Sequence, residues 1–394
     1  FLRFRRIAPL LLIAVASTAA VIVYSKTTPA PALPQITLMQ TPAGGIQPQT
    51  ILDHRGVLHM IYFKGNASAG DIEYVRRDPG AASFSAPIRV NSQPGSAVAI
   101  GTVRGPQMAL GRGGRVYVIW FGSSHSKPRG PEGKTPVLFS RLNDSGTAFA
   151  PQRNLMQYTK GVDGGLSVAA DPRGDVYAVW HAMGKVPGEA HRRVYLARST
   201  DDGKTFTREV PVSPASLGAC GCCGMRAFVD GGGTLYVLYR AAAGNIHRDM
   251  TLLVSADHGR TFRAEDVSSW KLSACPMSTD DLSEGAGRVL AAWEKAGEVY
   301  FSEINPRTFK LSSIYPAPGS SADRKHPAVA ANARGDVLLA WTEGTAWMKG
   351  GSVAWQLFDP AGRPVGQEGH ATGVPVWGLP SVFTNRRGDF IIVY

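Results

Sequence analysis

Cysteine is scarce, with four in 394 residues, all confined to positions 220–275. Several chemistries have no footprint at all. The chain has no G-x-S-x-G elbow, Walker A loop, dinucleotide fingerprint, H-E-x-x-H helix or haem-attachment motif. Each of those templates is thereby set aside. The formal net charge is +12, yet no helix-turn-helix, zinc-finger or RRM pattern accompanies it, so nucleic acid is not an expected partner. The 45 glycines and 27 prolines are not periodic at three, which excludes collagen and indicates many turns. A hydrophobic content of 44% argues against global disorder and suffices for a large core.

What is present begins with a targeting signal. FLRFRR precedes an apolar run of 18 residues from Ile7 to Tyr24, near the lower limit for a membrane-spanning helix. Positive charge before the run predicts that this end stays cytoplasmic and the rest is exported. A cleaved signal peptide is the competing reading. The expected organisation is an anchor over 1–26, a Pro-rich linker over 27–34 and one domain over 35–394. Of the net charge, Arg3, Arg5, Arg6 and Lys26 supply +4, and the remaining +8 favours an anionic partner or a membrane surface.

The domain is written in repeats. An apolar strand, a glycine turn and a second strand ending in an aromatic recur seven times, as in VAADPRGDVYAVW from Val168 and VAANARGDVLLAW from Val329. The turn glycines are Gly56, Gly114, Gly174, Gly233, Gly287, Gly335 and Gly388, spaced by 58, 60, 59, 54, 48 and 53 residues. That period suits blades of four antiparallel strands closed into a ring, which also removes exposed sheet edges. The seventh copy stops after its second strand. Ile36 to Met39 is expected to help close it.

One repeat, Leu166 to Val212, contains the turn Ser199-Thr-Asp201-Asp-Gly203-Lys-Thr205-Phe206, and Ser255-Ala-Asp257-His-Gly259-Arg-Thr261-Phe262 repeats the pattern 56 residues later. Glycine permits a positive backbone angle, Asp and Ser can close local hydrogen bonds, and Phe can anchor the turn. Both turns resemble the Asp box of sialidase-like BNR-repeat β-propellers. The resemblance implies an all-β propeller, and it leaves function open, because this turn occurs in propellers with unrelated activities. The internal repeat count favours seven blades, whereas the resemblance points to six.

The cysteines lie in Cys220-Gly-Cys222-Cys223-Gly-Met225 and Cys275-Pro-Met277, in the connections that enter two adjacent blades. Disulfides are the ordinary reading in an exported domain, with a link from the first segment to Cys275 expected. The other reading is a soft-metal site, in which thiolates with Met225 and Met277 suit copper and four thiolates suit zinc. Polar residues also gather on the same face: Lys64, His181, Glu294, Glu343, His125, His191, His247, Arg248, Asp280, Asp281, Lys325 and His326, beside Phe121. Trp120, Trp180, Trp293 and Trp341 recur at one strand position and read as blade packing.

A sialidase would hold a carboxylate with three arginines and use a tyrosine nucleophile with acidic partners. Here Arg226 and Arg240 are candidate clamp members and Asp249 or Glu294 a candidate carboxylate. Gln47-Pro48-Gln49 stands where the family's first arginine segment is expected. The CGCC and CPM segments resemble those of a group of exported bacterial BNR-repeat proteins. Together these features predict an inner-membrane, single-pass protein with a periplasmic propeller. It would serve as a binding or accessory subunit of a membrane protein complex, attached to the lipid bilayer through residues 7–24, and would sooner be a non-enzyme than an enzyme. Copper or other soft-metal handling is one alternative, and a divergent exo-sialidase or other glycan hydrolase is another.

Overall fold

The computed structural model describes Phe1 and residues 32–244, 246–319 and 323–394. Seven sheets make up the propeller, six of them four-stranded, antiparallel and connected in simple up-and-down order. The innermost strands of the first six are Ile46–Leu52, Gln107–Leu110, Leu166–Ala170, Met225–Val229, Asp281–Gly285 and Arg324–Ala331. The seventh sheet has three strands. Its hairpin, Ser381–Thr384 with Phe390–Val393, is joined by Ile36–Met39, which pairs parallel to the last strand in the register Ile36↔Phe390 to Met39↔Val393. The ring is thus closed by main-chain hydrogen bonds between the two ends of the described propeller, and the internal count of seven holds over six.

The periodic glycines explain how one phrase makes seven hairpins. All seven have positive φ, from 71° at Gly287 to 103° at Gly174, a region that costs other residues strain. In front of several sits an Asp or Asn whose side chain caps the turn. Asp171 Oδ1, for instance, accepts the N–H groups of Arg173, Gly174 and Asp175 at 2.9–3.1 Å. The recurring tryptophans are packing residues, with Trp120, Trp180 and Trp293 at most 1% exposed between neighbouring blades.

The two boxes close on themselves. Ser199 Oγ donates to Asp201 Oδ1 at 2.7 Å, and Asp201 in turn accepts the Thr205 N–H and hydroxyl at 2.8 and 2.6 Å. Ser255, Asp257 and Thr261 repeat these bonds. Gly203 and Gly259 keep φ near 70°, and each presses on the preceding blade: a Cβ on Gly203 would meet Tyr117 and Phe139 at 3.1 Å. Phe206 stands edge-on to Phe139 at 4.9 Å, and Phe262 packs into the core shared by the third and fourth blades. The boxes are therefore rivets between blades. Blades five and six, which lack the box sequence, keep its first step, since Asn305 and Asp359 still accept the N–H groups of their own turns.

Four expectations are corrected. Residues 7–24 lie outside the described residues, and among the described residues no helix is long and apolar enough to cross a membrane. With no spanning helix found, the fold is a seven-bladed propeller without a demonstrated transmembrane helix. The expected bilayer attachment, single-pass inner-membrane location and membrane-anchored accessory subunit accordingly find no support among the described residues.

Candidate functional site

The innermost strands run from the face bearing the inter-blade connections, the top, to the glycine turns at the bottom. They wall a cavity of about 370 Å³ on the propeller axis. That volume falls in the range of small-ligand pockets. Leu52, Leu110 and Val229 line it at the strand ends near the bottom, and Gln49, Gln107, Arg226, Asp280 and Asp281 bring polar groups to its upper part.

Arg226 dominates the polar part. From the fourth inner strand it reaches across the axis, its Nη1 donating to Gln49 Oε1 of the first blade and to Gln107 Oε1 of the second, the latter at 2.6 Å. Its Nε lies 3.2 Å from Asp281 Oδ1 of the fifth blade. Gln49 thus faces the axis where a clamp arginine was looked for, and one arginine serves alone. Next to Asp281, Asp280 is 8% exposed, and its Oδ1 has no hydrogen-bond partner among the described residues. Burial pushes the Asp280 carboxyl well above the usual carboxylate range, Asp281 adds to the rise, and Arg240 and Arg226 oppose it. Burial raises the Asp281 carboxyl as well, against the pull of Arg226, and a raised acid beside an arginine-paired carboxylate is an arrangement that can donate a proton.

Arg240 does not line this cavity. It is 3% exposed, donates to the carbonyls of Arg248 at 2.9 Å and Glu294 at 2.6 Å, stacks over Trp270 at 5.1 Å and lies 3.5 Å from the Glu294 carboxylate. Glu294 is raised by burial against the pull of Arg240. Asp249 accepts the Trp270 N–H at 2.7 Å and fixes that loop. Of the four sequence candidates, then, Arg226 faces the axis, Arg240 and Glu294 form a buried pair behind it, and Asp249 is a loop brace.

The cysteines divide differently from expectation. Cys220 and Cys223 are bonded to each other, their Cα atoms 5.5 Å apart because the chain reverses across Gly221 and Cys222. They stand in C-x-x-C spacing, a signal the sequence reading did not use. Cys222 is a buried free thiol and Cys275 an exposed one, so the link expected to Cys275 is not formed. Met277 packs on the cysteines, whereas Met225 is buried in the core between blades three and four.

Among the described residues, three groups of side chains have ligand atoms close enough to hold a metal ion: Cys220–Cys222–Cys223, Glu189–Cys222–Cys275 and Asp171–Asp175–His258. The first has two sulfurs spent in the disulfide. In the third, Asp171 is already occupied by its own turn. Copper or zinc therefore has a place in the second, which includes Glu189, a residue missed in the sequence because only the fold brings its loop to the cysteines.

Elsewhere on the top face, His181 and His326 are buried and carried down to about 3 by that burial, with Arg192 and Lys325 respectively adding to the fall. His181 Nε2 accepts the Gly165 N–H at 2.7 Å and braces a loop. His125, His191 and Lys64 are exposed. Lys325 donates to the Pro276 carbonyl at 3.0 Å, and Glu343 pairs with Arg324 at 3.3 Å. The sequence also gave no warning of Trp347, 56% exposed, whose ring lies 5.9 Å from that of Trp377.

No family profile and no curated protein sequence matches the chain. Solved structures do. A fungal alcohol oxidase of the AA5 family, in complex with copper, is 12% identical over 92% of this chain and 71% of its own, with a TM-score of 0.53. An α-L-arabinanase of Penicillium chrysogenum complexed with arabinobiose is 10% identical over 84% and 99%, with a TM-score of 0.51. A Hadza microbial sialidase is 16% identical over 80% and 69%, with a TM-score of 0.47. At such identities the shared feature is the fold. The expectation of a non-enzyme gains no support from these neighbours, which are themselves named as enzymes; what this chain shares with them is the fold. What stands is a β-propeller with low-identity sialidase and glycan-hydrolase neighbours.

Proposed function

We propose that the protein is a glycan-active enzyme that cleaves a glycosidic bond at the top of the axial cavity. The single observation that carries this reading is Asp280, a buried carboxyl raised above its usual range, with one oxygen unpartnered, in the wall of a ligand-sized cavity. Glycoside cleavage needs a protonated acid for the leaving oxygen and negative charge for the oxocarbenium-like transition state. Asp280 supplies the first. Asp281, oriented by Arg226, supplies the second.

Arg226 and the +8 that remains outside the N-terminal segment favour a glycan end bearing an acidic group. The exposed Trp347 with Trp377 offers a stacking surface for a sugar ring outside the cavity. The fold likeness to an arabinanase is consistent with this substrate class and adds nothing finer.

The test is turnover of a panel of aryl glycosides: α-sialosides, uronides and α-L-arabinofuranosides. Asp280→Asn is expected to lower kcat by about 10²–10⁴-fold with the fold intact, the usual contribution of a positioned acid. Absence of turnover by the unaltered protein across the panel, or full activity in Asp280→Asn, rejects the proposal.

A further inference from the structure

The two free thiols do not belong to the axial cavity. Cys222 comes from the connection into blade four and Cys275 from the connection into blade five, and Glu189 comes from the short 3-10 turn Glu189–His191 of blade three. Three separate stretches of chain therefore converge, bringing two sulfurs and a carboxylate oxygen within 4.8 Å of one another. We propose that Glu189, Cys222 and Cys275 form a binding site for a thiophilic d10 cation, Cu(I) or Zn(II), with the Met277 thioether beside it.

Four features make this more than proximity. The neighbouring Cys220–Cys223 disulfide removes two competing sulfurs and ties the loop, leaving a defined pair of thiols. Glu189 is held in place from two sides: its Oε1 accepts the Gly221 N–H at 2.6 Å and its Oε2 lies 2.7 Å from Arg248 Nη1. Arg248 is itself 4% exposed, so the carboxylate is oriented by a fixed group. Cys222 is buried while Cys275 is exposed, which gives a cation a bound side and an entry side.

The donor set fits the chemistry. Thiolate and thioether sulfur select Cu(I), whereas two thiolates and a carboxylate leave a fourth position open on Zn(II). In the metal-free protein burial pushes the Cys222 thiol up, with Cys275 and Glu189 adding to the rise and the Met277 backbone partly opposing it. Binding accordingly replaces thiol protons: each Sγ–H releases H⁺ to solvent as the sulfur–metal bond forms, with no change in oxidation state.

The experiment uses the purified chain, its thiols first counted by alkylation and mass spectrometry without reductant. Two free thiols, at Cys222 and Cys275, and one Cys220–Cys223 bridge are expected. The protein is then titrated with Cu(I) against a chromophoric Cu(I) chelator and, separately, with Zn(II) against a chromophoric Zn(II) chelator. One equivalent of at least one cation is expected, lost in Cys222→Ser and in Cys275→Ser and weakened about tenfold or more in Glu189→Gln. Asp280→Asn, in the axial cavity, should leave the titration unchanged, so failure here is separable from failure of the proposed hydrolase. A Cys222–Cys275 disulfide in the isolated protein, no uptake of either cation, or undiminished uptake in both serine variants that retain the parent circular dichroism spectrum overturns the proposal.

Discussion

The boxed turns at the bottom of the propeller and the cysteine-bearing connections at its top are built from the same small, turn-forming residues, and they are finished in opposite ways. In each box the side chains of the Ser, the first Asp and the Thr bond to one another inside eight residues, and the aromatic at its end is driven into a neighbouring blade. The top connections leave capacity over. Asp280 has an oxygen without a partner, and two thiols stand free beside a carboxylate. Unsatisfied buried groups cost stability, so a fold retains them where they act on something else. The difference separates turns that hold the ring together from turns whose groups are left available to a ligand.

The sharpest way to break that contrast is at Arg240, which lies on the top face and is nevertheless closed off like a rivet. Arg240→Met leaves Glu294 buried without its counter-charge and is expected to cost about 3–5 kcal/mol in denaturant unfolding. Arg240→Met with Glu294→Leu should recover most of the loss. If the single variant is as stable as the parent, the pair is not structural and Arg240 returns as a ligand-binding candidate.

A smaller effect is expected at the bottom. Asp201→Ala removes the acceptor for the Thr205 N–H and hydroxyl and should cost about 1–2 kcal/mol, as losing a turn or helix cap does. Turnover at saturating substrate and cation uptake should both be unchanged. A variant of either box that kept its stability but lost turnover would show that the bottom face takes part in the chemistry.

The same contrast explains what the sequence disclosed. The ring was legible because its information is local and repeated: a glycine at positive φ, an Asx cap before it and an aromatic at the next strand's end recur at nearly constant spacing. Even the parallel closing strand at Ile36–Met39 could be inferred from a last blade that stops short. The site was legible only in part. Arg226 and the cysteines were visible as unusual residues, but Glu189 is brought to Cys222 and Cys275 by the packing of three blades. Gln49 and Gln107 matter only because Arg226 crosses the axis to them. Arg240 misled, since a charged residue at a strand end gives no sign of whether Trp270 and Glu294 will bury it. The Cys220–Cys223 pair was missed for another reason, the choice of a distant partner over a near one in C-x-x-C spacing.

The two faces should also answer to pH with opposite signs. At Asp201 burial raises the carboxyl, but the Thr205 hydroxyl and N–H and the Ser199 hydroxyl outweigh it and carry it down to about 2 from the ordinary 3.8. A depressed acid stabilises the fold above its unfolded value, and that contribution is lost as pH falls through 3.8 to about 2. Asp280 is raised, so it favours the fold below the unfolded value near 3.8, and the advantage declines as pH rises until its folded value is passed. Melting temperature followed from pH 2 to 9 should therefore fall less on the alkaline side in Asp280→Asn than in the parent, and less on the acid side in Asp201→Asn. Parallel pH profiles for parent and Asp280→Asn would mean that Asp280 is ionised in the fold and is no proton donor.

The smallest expected effect on the fold tests the ligand side alone. Trp347 is 56% exposed, with its ring near Trp377 and against Gly101, so Trp347→Ala removes little buried surface. Its stability should change by no more than about 0.5 kcal/mol, the usual range for a surface substitution. Loss of one stacking contact with a sugar ring, worth about 1 kcal/mol, would raise KM roughly fivefold with kcat kept, because the contact lies away from the reacting bond and is made equally in ground and transition states. Phenylalanine at the same position should restore most of the affinity. A KM unchanged in Trp347→Ala would take the aromatic pair out of the binding surface and leave substrate recognition to Arg226 and its neighbours on the axis.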